Sequence, residues 1–117
     1  MIENFKIGID IVSVKKFKKK HYEKNRDFYK KIFSPNEIKY CRKYKNSSER
    51  FAGKFALKEA LIKSIDIKIL FSEIETSHLN SKPVIKITKY GTKYRFIASL
   101  SHETDFVVAV VISEKIR

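Results

Sequence analysis

Glu59 and Lys63 lie one helical turn apart in FAGKFALKEALIKSI, residues 51–65, a stretch that reads as a helix. At about 100° per residue, Phe51, Phe55 and Ile62 share one narrow apolar sector. Glu59 projects at the edge of that sector, between the directions of Phe55 and Ala52, and Lys63 falls on the same side. One use of such a pair is an ordinary ion pair at i,i+4, which contributes only about 0.2–0.5 kcal/mol. The other is chemical: the carboxylate takes a cation and the ammonium takes an anion.

A second carboxylate, Asp10, stands between Ile9 and Ile11 in FKIGIDIV, residues 5–12. Here Phe5, Ile7, Ile9 and Ile11 alternate on one face, the period of a strand, and Gly8 and Asp10 share the other. Asp10 can be a solvent-facing strand residue, a cap for the next helix, or a ligand. If it converges with Glu59, the two carboxylates can hold Mg²⁺, which prefers oxygen donors and keeps several waters. His102 closes SLSH before the turn-like ETD, as a structural histidine or a functional one. His21 and His78 sit in polar surroundings and read as surface residues. There is no His/Cys spacing for zinc, no P-loop and no glycine-rich dinucleotide fingerprint.

The remaining chain supplies the elements that must position these groups. SVKKFKKKHY reads as a basic helix with a thin apolar stripe, and DFYKKIF as a short helical piece. In SPNEIKYCRKY, Ser34 is the N-cap, Pro35 the first helical residue and Glu37 the partner in a capping box. KNSS is a turn in which Ser48 can cap the long central helix, whose end is expected near Ile65 or Asp66. Four strand-like segments follow, ILFSEIET, PVIKIT, KYRFIASLS and DFVVAVVIS, separated by NSKP, YGTK and HETD. Helices followed by strands predict an α+β fold with a C-terminal antiparallel sheet, joined by the N-terminal strand. No repeat, low-complexity block or linker interrupts residues 1–117, so one domain is expected.

With 43% hydrophobic residues the chain is expected to fold, and no apolar run is long enough for a membrane span. The start, MIENFKIGIDIV, does not resemble a signal peptide, and Cys41 is the only cysteine, so a cytoplasmic protein is expected. The net charge of +13 calls for an anionic partner without naming it.

Taken together, GIDIV, ERFAGKFALKEALIK and SLSH resemble holo-acyl-carrier-protein synthase, the small single-domain type of 4′-phosphopantetheinyl transferase, in the right order over almost the whole chain. The resemblance implies that Asp10 and Glu59 hold Mg²⁺ and that Lys63 faces the diphosphate of coenzyme A. It implies that Lys54 belongs to the basic group near the nucleotide phosphates. It further implies that Lys82 and Pro83 line the coenzyme site, and that His102 reaches the phosphates from an adjoining subunit of a homotrimer. The implied reaction moves 4′-phosphopantetheine from coenzyme A to a serine of apo-acyl carrier protein, in fatty acid biosynthesis. Either a metal-bound water or Glu59 would remove the serine proton.

Three positions depart from the family pattern. Ser81 stands where relatives carry the glycine of a GKP turn, SIDIKI replaces a glycine-containing loop after Lys63, and Ser13 stands where many have Glu. Acyl carrier proteins are acidic, so the lysine-rich segment, through Lys16, Lys19 and Lys20 with Phe17 or Tyr22 as apolar anchor, is expected to dock them. The competing readings are a basic nucleic-acid-binding module and a relative that binds carrier protein without catalysis. The first leaves the placement of Glu59 and Lys63 unexplained, and the second is opposed by the joint presence of Asp10, Glu59 and Lys63.

Overall fold

The computed structural model describes residues 2–88 and 93–116. The alternating N-terminal segment forms strand β1 (Phe5–Ser13), which pairs antiparallel with β5 (Phe106–Lys115), and β5 pairs in turn with β4 (Tyr94–His102). Across one side of this sheet lies α4 (Ser47–Lys63), the predicted central helix. The side it covers is the one that bears Gly8. Gly8 and Val12 are buried, whereas Ile7, Ile9 and Ile11 stay exposed on the far face. Gly8 explains the choice: a Cβ there would lie 1.9 Å from the Ala60 carbonyl oxygen, so only hydrogen allows the two backbones this close. The uncovered face continues over β5 and β4, where Ile7 lies opposite Ile112, Ile9 opposite Val110, Ile11 opposite Val108, and Ile97 flanks Ile112.

The other face of α4 is capped by short helices. The predicted basic helix is a single turn, α1 (Lys15–Lys18), followed by a 3₁₀ turn at Tyr22–Lys24. Like charges one turn apart, Lys15 with Lys19 and Lys16 with Lys20, oppose a longer helix. Phe17 is the apolar residue that α1 contributes, and it is a core residue rather than a docking anchor. It is 1% exposed. Its ring lies 5.7–6.3 Å from those of Phe28, Tyr29, Phe33, Phe51 and Phe55.

Helices α2 (Arg26–Ile32) and α3 (Pro35–Arg42) follow. The predicted capping box is present at α3: the Glu37 amide donates to Ser34 Oγ at 3.2 Å, and the Ser34 amide to Glu37 Oε1 at 2.8 Å. Ser48 is not a cap, because α4 begins at Ser47 after Asn46, and it ends at Lys63, slightly earlier than expected. Strands β2 (Ile74–Leu79) and β3 (Lys82–Ile87) form a separate antiparallel hairpin rather than extending the first sheet. The predicted YGTK turn lies mostly outside the described residues.

The β2–β3 hairpin turns on Asn80 and Ser81, with φ of 51° and 68°, while Leu79 and Lys82 remain paired. A two-residue loop of this kind needs left-handed backbone at both positions. Asn tolerates that region, but a serine there costs roughly 1–2 kcal/mol, partly offset by glycine's greater unfolded-state entropy. Ser81→Gly is therefore expected to stabilise the protein by about 0.5–1 kcal/mol. A thermal melt followed by circular dichroism checks this, as a midpoint a few degrees higher.

Candidate active site

Asp10 and Glu59 do converge. Asp10 follows Gly8 on the face of β1 that meets α4, and Glu59 rises from α4 at the same edge. Together with Lys16 and Phe55 they line a cavity of about 320 Å³. Lys63 reaches across from the last turn of α4, donating to Asp10 Oδ1 and to the Ile9 carbonyl, each at 3.0 Å. Its partner is thus on the strand, and its side chain remains half exposed to whatever enters. Burial pushes the Glu59 carboxyl above its usual range and the Asp10 charge adds to this, while Lys63 and Lys16 act in the opposite sense. Lys16, expected on a docking surface, is exposed and packs its ammonium 4.2 Å from the centre of the Phe55 ring at the cavity wall.

Behind Glu59 the helix is pinned by its neighbour. Lys58 is wholly buried and donates to Glu37 Oε1 at 2.7 Å, to the Ile32 carbonyl at 2.7 Å and to the Phe71 carbonyl at 3.2 Å. The other Glu37 oxygen accepts from the Thr76 amide at 2.8 Å and the Thr76 hydroxyl at 2.6 Å. One ion pair therefore fixes α4 against α2, α3 and β2, and breaking such a pair costs about 3–5 kcal/mol. The sequence showed Glu37 only as a helix cap and gave Lys58 no role. The signal was its place beside Glu59 in a helix that already faced inward on the other side.

The remaining candidates gather elsewhere. Lys54 and His102 line a second cavity of about 400 Å³, with Tyr40, Arg50 and His78. Five residues separate Lys54 from Glu59, about 140° around the helix, so this cavity opens on the opposite side of α4 from the first. Lys54 is nearly buried: its ammonium donates to Thr76 Oγ1 at 2.9 Å and lies 4.9 Å over the Tyr40 ring. Burial pulls its pKa below the usual lysine range. His102 Nδ1 is 2.9 Å from Glu49 Oε1. Arg50 donates to the Tyr40 hydroxyl at 3.1 Å, and His78 stacks on that ring with centroids 5.0 Å apart.

Arg50 carries no assigned role in the sequence, although its i,i+4 spacing to Lys54 puts both on one helix face; His78, read as a surface residue, is exposed and also borders this cavity. Lys82 is exposed at the start of β3, and Pro83 lies opposite His78 in the hairpin register. Lys19 and Lys20 are exposed beside α1. Among the described residues no three His, Cys, Asp or Glu side chains come together as a metal cluster, and no helix is long and apolar enough to cross a membrane.

Comparison with known proteins decides the family. The model of the 4′-phosphopantetheinyl transferase superfamily matches residues 6–111. A holo-[acyl-carrier-protein] synthase of Mycoplasma capricolum is 36% identical over 116 residues, covering 97% of this chain and 96% of that protein. The chain belongs to the 4′-phosphopantetheinyl transferase superfamily. Solved structures of other members share its fold. The Helicobacter pylori holo-[acyl-carrier-protein] synthase in complex with coenzyme A has a TM-score of 0.78 and 34% identity, covering 92% of this chain and 99% of that one. A Bacillus anthracis holo-(acyl-carrier-protein) synthase in complex with CoA (3′,5′-ADP) has a TM-score of 0.79 and 30% identity, covering 95% and 96%. In this superfamily member, then, a carboxylate pair with a lysine and a basic, aromatic-lined cavity occupy opposite flanks of one helix.

Proposed function

We propose that this chain transfers 4′-phosphopantetheine from coenzyme A to a serine hydroxyl of apo-acyl carrier protein, as a Mg²⁺-dependent homotrimer serving fatty acid biosynthesis in the cytoplasm. The observation that carries the reading is the convergence of Asp10 and Glu59 at one cavity, with Lys63 donating to Asp10 beside it. Its support beyond this chain is the coenzyme A bound in the Helicobacter pylori relative.

The donor set fits Mg²⁺: two hard carboxylates from separate elements face one cavity, with room left for water and phosphate oxygens. Asp10 and Glu59 would hold the ion, which when bound supplies Lewis-acid neutralisation of the diphosphate charge. The chain's own groups do the rest. Lys63, oriented by Asp10 and the Ile9 carbonyl, presents a fixed positive charge to the departing phosphate. Glu59, raised by burial and by Asp10, is a group in the cavity able to take the serine proton. The serine oxygen bonds to the phosphorus that carries the pantetheine arm. The bond from that phosphorus to the bridging oxygen breaks, and adenosine 3′,5′-bisphosphate leaves with the electron pair.

Lys54, Arg50 and His102 would meet the nucleotide phosphates, with Lys82 and Pro83 beside them. Because their cavity lies across α4 from Glu59, one coenzyme A would use this set from a neighbouring subunit. The exposed isoleucine face of the sheet is the surface such an assembly would bury. Incubation with coenzyme A, Mg²⁺ and apo-acyl carrier protein is expected to add one phosphopantetheine to the acceptor by mass spectrometry. An unmodified acceptor at stoichiometric enzyme would reject the reading.

The exposed lysines suit an acidic carrier protein better than nucleic acid, because Phe17 and Tyr29 are in the core and Tyr22 lies under Arg26 and Arg42. With Phe17 buried, docking rests on the exposed Lys16, Lys19 and Lys20, of which Lys16 also borders the catalytic cavity and the other two stand clear of it. Lys19→Glu with Lys20→Glu is expected to raise the KM for carrier protein about tenfold at low salt and leave the KM for coenzyme A unchanged. The difference should shrink by 1 M salt, where the screening length is about 3 Å. Steady-state kinetics against both substrates read this out, and equal losses for both would remove these lysines from docking.

A further inference from the structure

A further cavity belongs to neither half of that site. It measures about 690 Å³ and lies between α2 and α3. Helix α3 separates it from the nucleotide side: Tyr40 faces the Lys54 cavity, whereas Ile38 and Arg42, about 160° away, and Lys39, about 100° away, line this one. Its floor is apolar, built from Phe33, Pro35 and Ile38, with Tyr22 as a wall. Its rim is cationic. Lys30 stands on the α2 side, and Lys39, Arg42 and Lys43 on the α3 side.

The rim is partly built in advance. Glu23 binds both Arg26 and Arg42, at 2.7 and 2.8 Å, and the Arg42 guanidinium lies 4.3 Å over the Tyr22 ring. Glu23 is thereby fully engaged, and no carboxylate lies within ion-pair distance of Lys30, Lys39 or Lys43 among the described residues. The volume is in the usual range for small-molecule sites, which pair an apolar lining with a few placed polar groups. An apolar trough with one sign of charge on its edge selects a ligand that has a chain and an anionic head.

From this geometry we propose that the cavity between α2 and α3 binds a single-chain anionic amphiphile, such as a free acyl carboxylate. The chain lies over Phe33 and Ile38, and the head meets Lys39 and Lys43. The floor also touches the frame of the catalytic helix: the carbonyl of Ile32, next to Phe33, accepts from buried Lys58, the neighbour of Glu59. Occupancy can therefore be felt at the transfer site, although binding does not depend on the reaction assigned there.

The test uses the full chain with methyl-labelled isoleucines, titrated with laurate below its micellar concentration. Parallel titrations use acetate (head without chain), dodecanol (chain without head) and vesicles of anionic phospholipid. Laurate is expected to bind one to one and shift the Ile38 methyl resonance. Acetate and dodecanol should bind at least tenfold more weakly. Lys39→Glu with Lys43→Glu should weaken laurate at least tenfold without altering the fold. Shifts at Ile7, Ile9 and Ile11 in place of Ile38 would overturn the proposal, because laurate would then be coating the bare sheet. So would indifference to the double variant, equal binding of dodecanol, or saturation by vesicles or by apo-acyl carrier protein with no response to laurate.

Discussion

Asp10→Ala and His102→Ala proteins are each expected to transfer phosphopantetheine at least about a hundredfold more slowly than the natural chain, the usual cost of losing one preorganised charge contact. Mixed in equal amounts and allowed to exchange subunits, they are expected to regain about a quarter of the natural activity. The figure follows from the geometry. Asp10 lines the cavity on one flank of α4 and His102 the cavity on the other, so in the proposed assembly a complete site would draw one residue from each of two chains. In a ring of randomly mixed subunits, a site is intact when its carboxylate side comes from the His102 variant and its basic side from the Asp10 variant. Each condition holds for about half the sites, and together for about a quarter. The Asp10→Ala protein should also lose its response to added Mg²⁺, whereas His102→Ala should keep it. No recovery after denaturing and refolding the mixture, or a monomer in sedimentation at micromolar concentration, would place the whole site in one chain.

What the sequence revealed of this arrangement, and what it hid, follows from the range of the forces involved. Glu59 and Lys63 stood out because charged groups at the edge of an apolar sector conflict with local patterning within one or two turns, whereas Asp10 fits an ordinary alternating strand and was tied to them by the family resemblance. The capping box at Ser34 and Glu37 was legible for the same reason: its partners are three residues apart. The buried face of β1 was not, because both faces alternate correctly and the decision rests on Gly8 meeting Ala60, half the chain away. Phe17 was misread as an anchor because lysines surround it in sequence while aromatic rings surround it in space. The Lys58–Glu37 pair was invisible for a related reason. Lys58 looks like an ordinary helix-surface charge and Glu37 like a helix cap until α3 and α4 are packed together.

Gly8→Ala tests the contact that joins fold to chemistry, and it is expected to cost about 3 kcal/mol or more, out of a total stability of about 5–15. The added methyl would lie 1.9 Å from the Ala60 carbonyl oxygen, 2.9 Å from its carbon and 3.0 Å from the Ser64 amide nitrogen. All three are backbone atoms of α4 and its C-cap, so no side chain can rotate away. Relief requires β1 to lift from the helix. Asp10 is two residues further along the same strand, and Lys63 is held by the Ile9 carbonyl and by Asp10 itself. Lifting the strand therefore moves one carboxylate away from the other and releases the lysine. A displacement of about 1 Å at such a site is enough to lower the rate about a hundredfold. Transfer should thus fall at least that far even at low temperature, where the variant remains folded. Urea denaturation gives the stability and a single-turnover assay on the folded fraction gives the rate. A variant as stable as the natural chain would refute the close approach of β1 to α4. One that is destabilised yet transfers at the natural rate would show that Asp10 does not depend on it.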